Sequence, residues 1–105
     1  MVRVRRTRLA LLDMEHNADY IARDSEKFAS IQVERFFDAG KKVEHQIRIG
    51  KIVPELQNES IREIIEGYYR IVYRIVNDQQ ADILTVHHSR RLLSNNPAFK
   101  GKPGG

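Results

Sequence analysis

Ser60-Ile-Arg-Glu-Ile-Ile-Glu-Gly-Tyr-Tyr-Arg-Ile-Val-Tyr-Arg-Ile-Val-Asn-Asp-Gln-Gln-Ala-Asp-Ile-Leu-Thr-Val-His-His-Ser-Arg-Arg91 is the stretch that decides the fold. Successive side chains of a strand point to opposite faces, so Tyr69, Ile71, Tyr73 and Ile75 share one face and Arg70, Val72, Arg74 and Val76 the other. The first set is bulky and belongs beneath a covering layer, whereas the second carries arginines. Strands are expected at about 60–66, 68–77 and 80–88. Gly67 and the Asn77-Asp78 pair are turn residues that make these consecutive hairpins rather than crossovers.

Upstream, the period changes. Val2 and Val4 alternate with Arg3 and Arg5 in a short first strand. From Leu9 to Ala22, Leu11, Met14, Ala18 and Ile21 recur every three or four residues, which predicts an amphipathic helix. Asp24 or Ser25 can cap a second helix, whose stripe of Phe28, Ile31, Val33, Phe36, Phe37, Val43 and Ile47 runs to about Arg48, with Gly50 as the stop. Lys51 to Asn58 contains Pro54 and reads as a loop. The expected architecture is α+β, in the order βααβββ: an antiparallel sheet with an N-terminal helical hairpin packed on one face. Residues 1–93 make one domain, and the turn-rich segment 94–105 is expected to be a flexible tail.

The composition sets limits on function. The chain has 105 residues, enough for one core but too few for a core plus a deep enclosed active site. Eighteen Lys and Arg against fourteen Asp and Glu give a net charge of +4. The excess lies at the N-terminus (Arg3, Arg5, Arg6, Arg8) and after residue 86, a distribution that suits an acidic protein or a nucleic acid. No cysteine is present, so disulfides and thiolate metal sites are excluded and a reducing cytoplasm is the expected location. No apolar run is long enough for a membrane span, and no membrane partner is expected. Glycine-rich phosphate loops, nucleophile elbows and metal-binding helix motifs are missing, and neither a metal nor a cofactor is expected. Asp13 and Glu15 lie about 200° apart around a helix and cannot face one substrate.

Strand register places the candidate chemistry. A two- or four-residue turn after the central strand sets Tyr73 opposite Leu84, Ile71 opposite Val86 and Arg70 opposite His87. The open face then shows Arg70, Arg74, Thr85 and His87. A three-residue turn or a bulge moves the partner by one and brings His88 there instead. Arginines fixed on a strand suit phosphate or carboxylate, because the planar guanidinium donates two parallel hydrogen bonds. The plainer alternative is that Arg70 and Arg74 are surface residues paired with Glu63 or Glu66.

Asp13-Met-Glu-His-Asn-Ala-Asp-Tyr-Ile21, Val53-Pro-Glu-Leu56, Ile61-Arg-Glu-Ile64, Gly67-Tyr-Tyr-Arg-Ile-Val-Tyr-Arg-Ile75 and Ile83-Leu-Thr-Val-His-His-Ser-Arg-Arg91, in this order, resemble the ParE/RelE superfamily. These are toxins of bacterial type II toxin-antitoxin, or plasmid stabilisation, modules. The resemblance implies the βααβββ fold and a toxin neutralised by a cognate antitoxin, in a complex that can bind operator DNA through the antitoxin. In the ParE branch the implied target is DNA gyrase. In the RelE branch it is mRNA in the ribosomal A site, cut without metal by attack of the 2′-hydroxyl on the adjacent phosphate.

For a nuclease the resemblance selects Arg62, Arg70, His88 and Arg91 as catalytic candidates, with His88 as acid and Arg70 and Arg91 on phosphate. Lys51, Arg74 and His87 are the candidate contacts to a target. The Val53-Pro-Glu-Leu56 and Ile61-Arg-Glu stretches and His88-Ser-Arg-Arg91 resemble the ParE-like members more closely, and the chain departs from the RelE-type nucleases in that no tyrosine follows Tyr73 and Lys51 lies in the loop, which weakens acid-base chemistry on RNA.

Overall fold

The computed structural model describes residues 1–99, and its elements follow the expected order. They are β1 (Arg3–Arg6), α1 (Arg8–Ala22), α2 (Glu26–His45), β2 (Lys51–Ile52), β3 (Ile61–Glu66), β4 (Tyr69–Asn77) and β5 (Gln80–His88). A single turn of 3₁₀ helix, Leu93–Asn95, follows. The sheet order is β1-β5-β4-β3-β2. All neighbours are antiparallel except β1, which lies parallel to β5 because the helical hairpin carries the chain across before it returns. β2 is an addition to the expected pattern: two residues of the predicted loop pair with Arg62 and Glu63 at the sheet edge.

Both helices begin at side-chain caps. Thr7 accepts a hydrogen bond from the Ala10 N–H at 3.1 Å and donates to the Leu84 carbonyl at 3.1 Å, so the cap also ties α1 to β5. Ser25, one of the two expected caps, accepts from the Phe28 N–H at 3.2 Å. Gly67 opens a two-residue hairpin between Glu66 and Tyr69 with φ 60°, the conformation that a type II′ turn requires at its first central position. Among the described residues no helix is long and apolar enough to cross a membrane.

The main core lies between the helices and the sheet face formed by Tyr69, Ile71, Tyr73 and Ile75, as the alternation predicts. The helix stripes differ from the expected ones. Ala10 and Met14 of α1, with Ala29, Phe36, Ala39 and Val43 of α2, are buried, whereas Leu11, Phe28 and Phe37 lie outside. Small residues face the sheet because the layers approach closely, and hydrophobic spacing alone cannot show this. Gly50 also acts differently from expectation. Its φ is not left-handed and α2 has already ended at His45. A Cβ at Gly50 would stand 2.7 Å from the Tyr73 ring and 2.8 Å from the Glu63 carbonyl, and its N–H donates to the Tyr73 hydroxyl at 2.9 Å.

A second, smaller cluster sits on the opposite sheet face, where Val72 packs against Val53 and Leu93 with Leu56, Ile61 and Phe99 around them. This part of the face, expected to be open, is covered by the Val53–Leu56 turn and by the chain after β5. Of the segment expected as a tail, residues 100–105 lie outside the described residues. Within 94–99, Asn96 is buried and Phe99 touches the second cluster.

Gly50→Ala is expected to destabilise the fold by roughly 1–3 kcal/mol through overpacking against Tyr73 and the β3 backbone, read as a lower midpoint in urea denaturation.

Candidate functional site

The β4–β5 ladder contains two irregularities that cancel. Val76 is an extra residue on β4 and Leu84 an extra residue on β5, so Tyr73 faces Ile83 rather than the expected Leu84. Beyond the second irregularity the ladder regains its expected register, with Ile71 opposite Val86, Arg70 opposite His87 and Tyr69 opposite His88. His87 therefore shares the face of Arg70. His88 lies on the helix face, its ring edge-on to Tyr69 at 5.4 Å and stacked with Tyr68 at 6.3 Å.

All three guanidinium nitrogens of Arg70 donate to carboxylates. Its Nε donates to Glu63 at 2.5 Å, and its two Nη atoms donate to both oxygens of Glu55 at 2.6 and 2.8 Å. The side chains of Arg70 and Glu63 are 12% and 2% exposed. Glu63 is the partner named above as the plainer alternative. Glu55, from the Val53–Leu56 turn, was not foreseen. The bidentate pair raises Arg70 above the ordinary arginine range and lowers the Glu55 carboxyl to about 2. Lys51 lies 3.7 Å from the second oxygen of Glu63. The other candidates are spread out. Arg62 pairs across from Tyr73 on the helix face, where its Nε and Nη1 donate to the carbonyls of Glu59 and Gly50 at 2.9 and 3.2 Å. Arg74 is exposed, across from Asp82.

His87 is buried in a chain of polar contacts. Asn96 Nδ2 donates to His87 Nδ1 and to Thr85 Oγ1, both at 2.9 Å, and His87 Nε2 donates to the Arg91 carbonyl at 2.8 Å. These contacts assign the imidazole proton to Nε2 and leave neither ring nitrogen free. The Thr85 hydroxyl in turn donates to Asp13 of α1, whose same oxygen accepts the Val86 N–H at 3.0 Å. Thr85 and His87, expected on an open face, are thus sealed by Asn96 and α1.

Next to this network a cleft of about 910 Å³ opens between α1 and the chain after β5, and His88 and Arg91 both line it. His88 Nδ1 accepts the Arg90 N–H at 3.2 Å. Burial first, and then the positive charges of Arg90 and Arg91 with a contribution from His87, hold its imidazole below the usual 6.5. A histidine so placed binds a proton less readily and is less suited to act as an acid. Of the four nuclease candidates the cleft gathers His88 and Arg91 only. Arg70 is consumed on the far face of the sheet and Arg62 lies toward the other end of the strands. Sequence reading missed Glu55, Asp13, Asn96 and Tyr20. A carboxylate in Val53-Pro-Glu-Leu56 gives no signal of its own, since its partner is fifteen residues away.

The fold and this arrangement define a small helical-hairpin-on-sheet protein of the kind found among toxin-antitoxin toxins. Residues 4–93 match the family described as the ParE toxin of the type II toxin-antitoxin system, parDE, and the chain belongs to that family. Among solved structures, it resembles a chain of the chromosomal ParDE toxin-antitoxin system from P. aeruginosa. The TM-score is 0.67 and the identity 20%, over 84% of this chain and 96% of the other, a likeness of fold. No curated protein matches the chain in sequence.

Two titrations test this geometry. Glu55 is expected to titrate near 2, so the stability it contributes is full above its unfolded value of 4.5 and is lost as pH falls from there toward 2. Arg70→Ala should return Glu55 toward 4.5 and, by leaving Glu63 buried with only Lys51 near, cost roughly 3 kcal/mol in denaturant unfolding. By NMR, the His88 ring should titrate below 6.5, and an Arg90→Ala, Arg91→Ala double variant should raise that midpoint only in part because burial is the larger cause.

Proposed function

We propose that this chain is a ParE-like toxin that inhibits growth by binding DNA gyrase, and that a cognate antitoxin neutralises it in the cytoplasm. Family membership supports the toxin role. The observation that carries the choice of target is the engagement of Arg70: each of its three guanidinium nitrogens donates to a carboxylate, Nε to Glu63 and the two Nη atoms to both oxygens of Glu55, so a phosphate would have to displace a bidentate partner. Arg62, on the opposite face, cannot join Arg70 on one phosphate. Catalysis on RNA without metal needs a convergent set of charge-stabilising donors and a proton donor, each worth on the order of 100-fold in rate. Contact between proteins needs only a shaped surface.

A second reading, cleavage of mRNA on the ribosome, draws on the shared cleft of His88 and Arg91. Purified toxin at micromolar concentration is expected to inhibit gyrase supercoiling or to raise the level of its cleavage complex, and to leave toe-prints of translated mRNA unchanged. Unaltered gyrase activity would overturn the first reading, and new A-site cuts abolished by Arg91→Ala would establish the second. Arg70→Ala is a poor probe of either, because its loss of activity would follow from its loss of stability.

A further inference from the structure

His87 of β5 and Asn96 of the segment after it are both buried, 5% and 7% exposed, and the hydrogen bonds around them end on backbone groups of that same segment. Asn96 Oδ1 accepts the Ala98 N–H at 2.9 Å, and a backbone amide can only donate. Asn96 Nδ2 is thereby turned toward Thr85 Oγ1 and His87 Nδ1, which must both accept. On the other side of the ring, Nε2 meets the Arg91 carbonyl, which can only accept. Polarity is thus set at both ends, by Ala98 and by Arg91. One form of the imidazole satisfies it: neutral, with the proton on Nε2.

A second proton on the ring has no acceptor. On Nδ1 it would point at the amide hydrogens of Asn96, and turning that amide over to receive it would set Nδ2 against the Ala98 N–H. A turned amide would also present its oxygen to Thr85 Oγ1, whose own proton goes to Asp13. Buried donors left face to face carry their full desolvation cost. Charges of both signs surround the ring: Arg70 across from it on β4, Glu63 of β3 and Glu55 of the Val53–Leu56 turn on that arginine, Asp13 and His16 of α1, and His88, Arg90 and Arg91 next along its own chain. The direction of donors and acceptors, rather than net charge, singles out the neutral ring.

What the ring holds is the segment Leu92–Phe99. Its backbone hydrogen bonds close within itself, from Asn95 to Leu92, Asn96 to Leu93 and Phe99 to Asn96, and none joins it to a strand among the described residues. It is attached to the sheet by Leu93 in the small cluster with Val53 and Val72, by Phe99 beside them, and by the side chain of Asn96. Such a unit can lift while the β4–β5 ladder stays intact. Val53 and Val72, both fully buried, would then meet water, and the cleft beside α1 would lose one of its walls.

We infer that His87 is a proton-operated latch: neutral, it holds the segment Leu92–Phe99 over the second sheet face, and uptake of one proton at Nδ1 releases the segment. The proton comes from solvent and stays on the imidazole, and no other covalent bond changes. Imidazole is the side chain whose charge changes between about pH 5 and 8. The closed form carries one proton fewer on His87 than the open form, so its stability is full at the upper end of that window and is lost as the pH falls through it. The latch works in the same way whichever cellular target the toxin has.

NMR of the full chain between about pH 7.5 and 5 reads the latch directly. At the upper end the ring nitrogens of His87 are expected to show the Nε2–H form. On acidification the second proton should arrive in the same step that moves the amide signals of Leu93–Phe99 and weakens the Leu93–Val72 contact, the open fraction rising about tenfold, while the amides of β3 and β4 keep their positions. Glu55, which titrates near 2, lies outside this window. In His87→Asn the side-chain oxygen stands where Nδ1 was, accepts from Asn96 and does not titrate, so the segment should stay closed throughout. Asn96→Asp should reverse the sign, because a carboxylate receives the added proton, and the segment should be held more firmly at the lower pH. If His87→Asn does not fold, that reversal decides alone. Replacing the other histidines of the cleft, His16→Gln with His88→Gln, should leave the step in place. An Nδ1–H form at the upper pH, protonation of His87 without movement of the segment, the same step in His87→Asn, no reversal in Asn96→Asp, or β4 amides moving together with the segment would each overturn the assignment.

Discussion

Arg70 sits on β4, a strand covered on both faces, and a guanidinium in that position must find carboxylates before the sheet can close around it. Glu63 on the neighbouring strand supplies one from beneath, and Glu55 on the Val53–Leu56 turn supplies the other from above. The same turn delivers Val53 to the cluster around Val72, so the ion pair and the apolar contact close together. Much follows from this one arrangement. It fixes the connection between the helices and the hairpins, it buries part of the second sheet face, and it removes from solvent one of the two arginine charges that marked this strand in the sequence, Arg74 staying exposed.

The distribution of the remaining charge changes accordingly. Asp82, almost wholly buried, takes Arg5 at 3.1 Å, and Lys51 is drawn to Glu63. The net charge of +4 is therefore not spread over a basic sheet but is left mainly at the two ends of the chain, with Arg90 and Arg91 beside a cleft. For a member of the ParE family, this shifts attention from the strand that carries the recognisable arginines to the segment that follows the last strand.

Period and punctuation in the sequence made the fold legible: the face of Tyr69, Ile71, Tyr73 and Ile75, the cap of α2 and the Gly67 hairpin were readable, and the pairing of Arg70 with His87 was one of two registers left open. The candidate site was much less so. Helical spacing pointed to Leu11 and Phe28 as inward residues, but the core between helices and sheet takes Ala10 and Ala39, and small size carries no periodic signal. Asn96 closes over Thr85 and His87 from a stretch whose composition is that of a turn. Glu55 reaches Arg70 through a turn of irregular backbone, in which Gln57 takes φ 47°. Contacts of this kind depend on where loops fold back, which no local pattern encodes.

The paired irregularities at Val76 and Leu84 also have a bearing on how the gene can drift. Each is an unpaired residue between intact rungs, so loss of either codon alone would close its bulge while Tyr73 kept Ile83, Arg70 kept His87 and Tyr69 kept His88. Loss of a paired residue of β4 or β5 would instead displace the ladder beyond it by one position and exchange the faces of the two histidines. Natural length variants of this hairpin should therefore differ at Val76 or Leu84, each independently of the other.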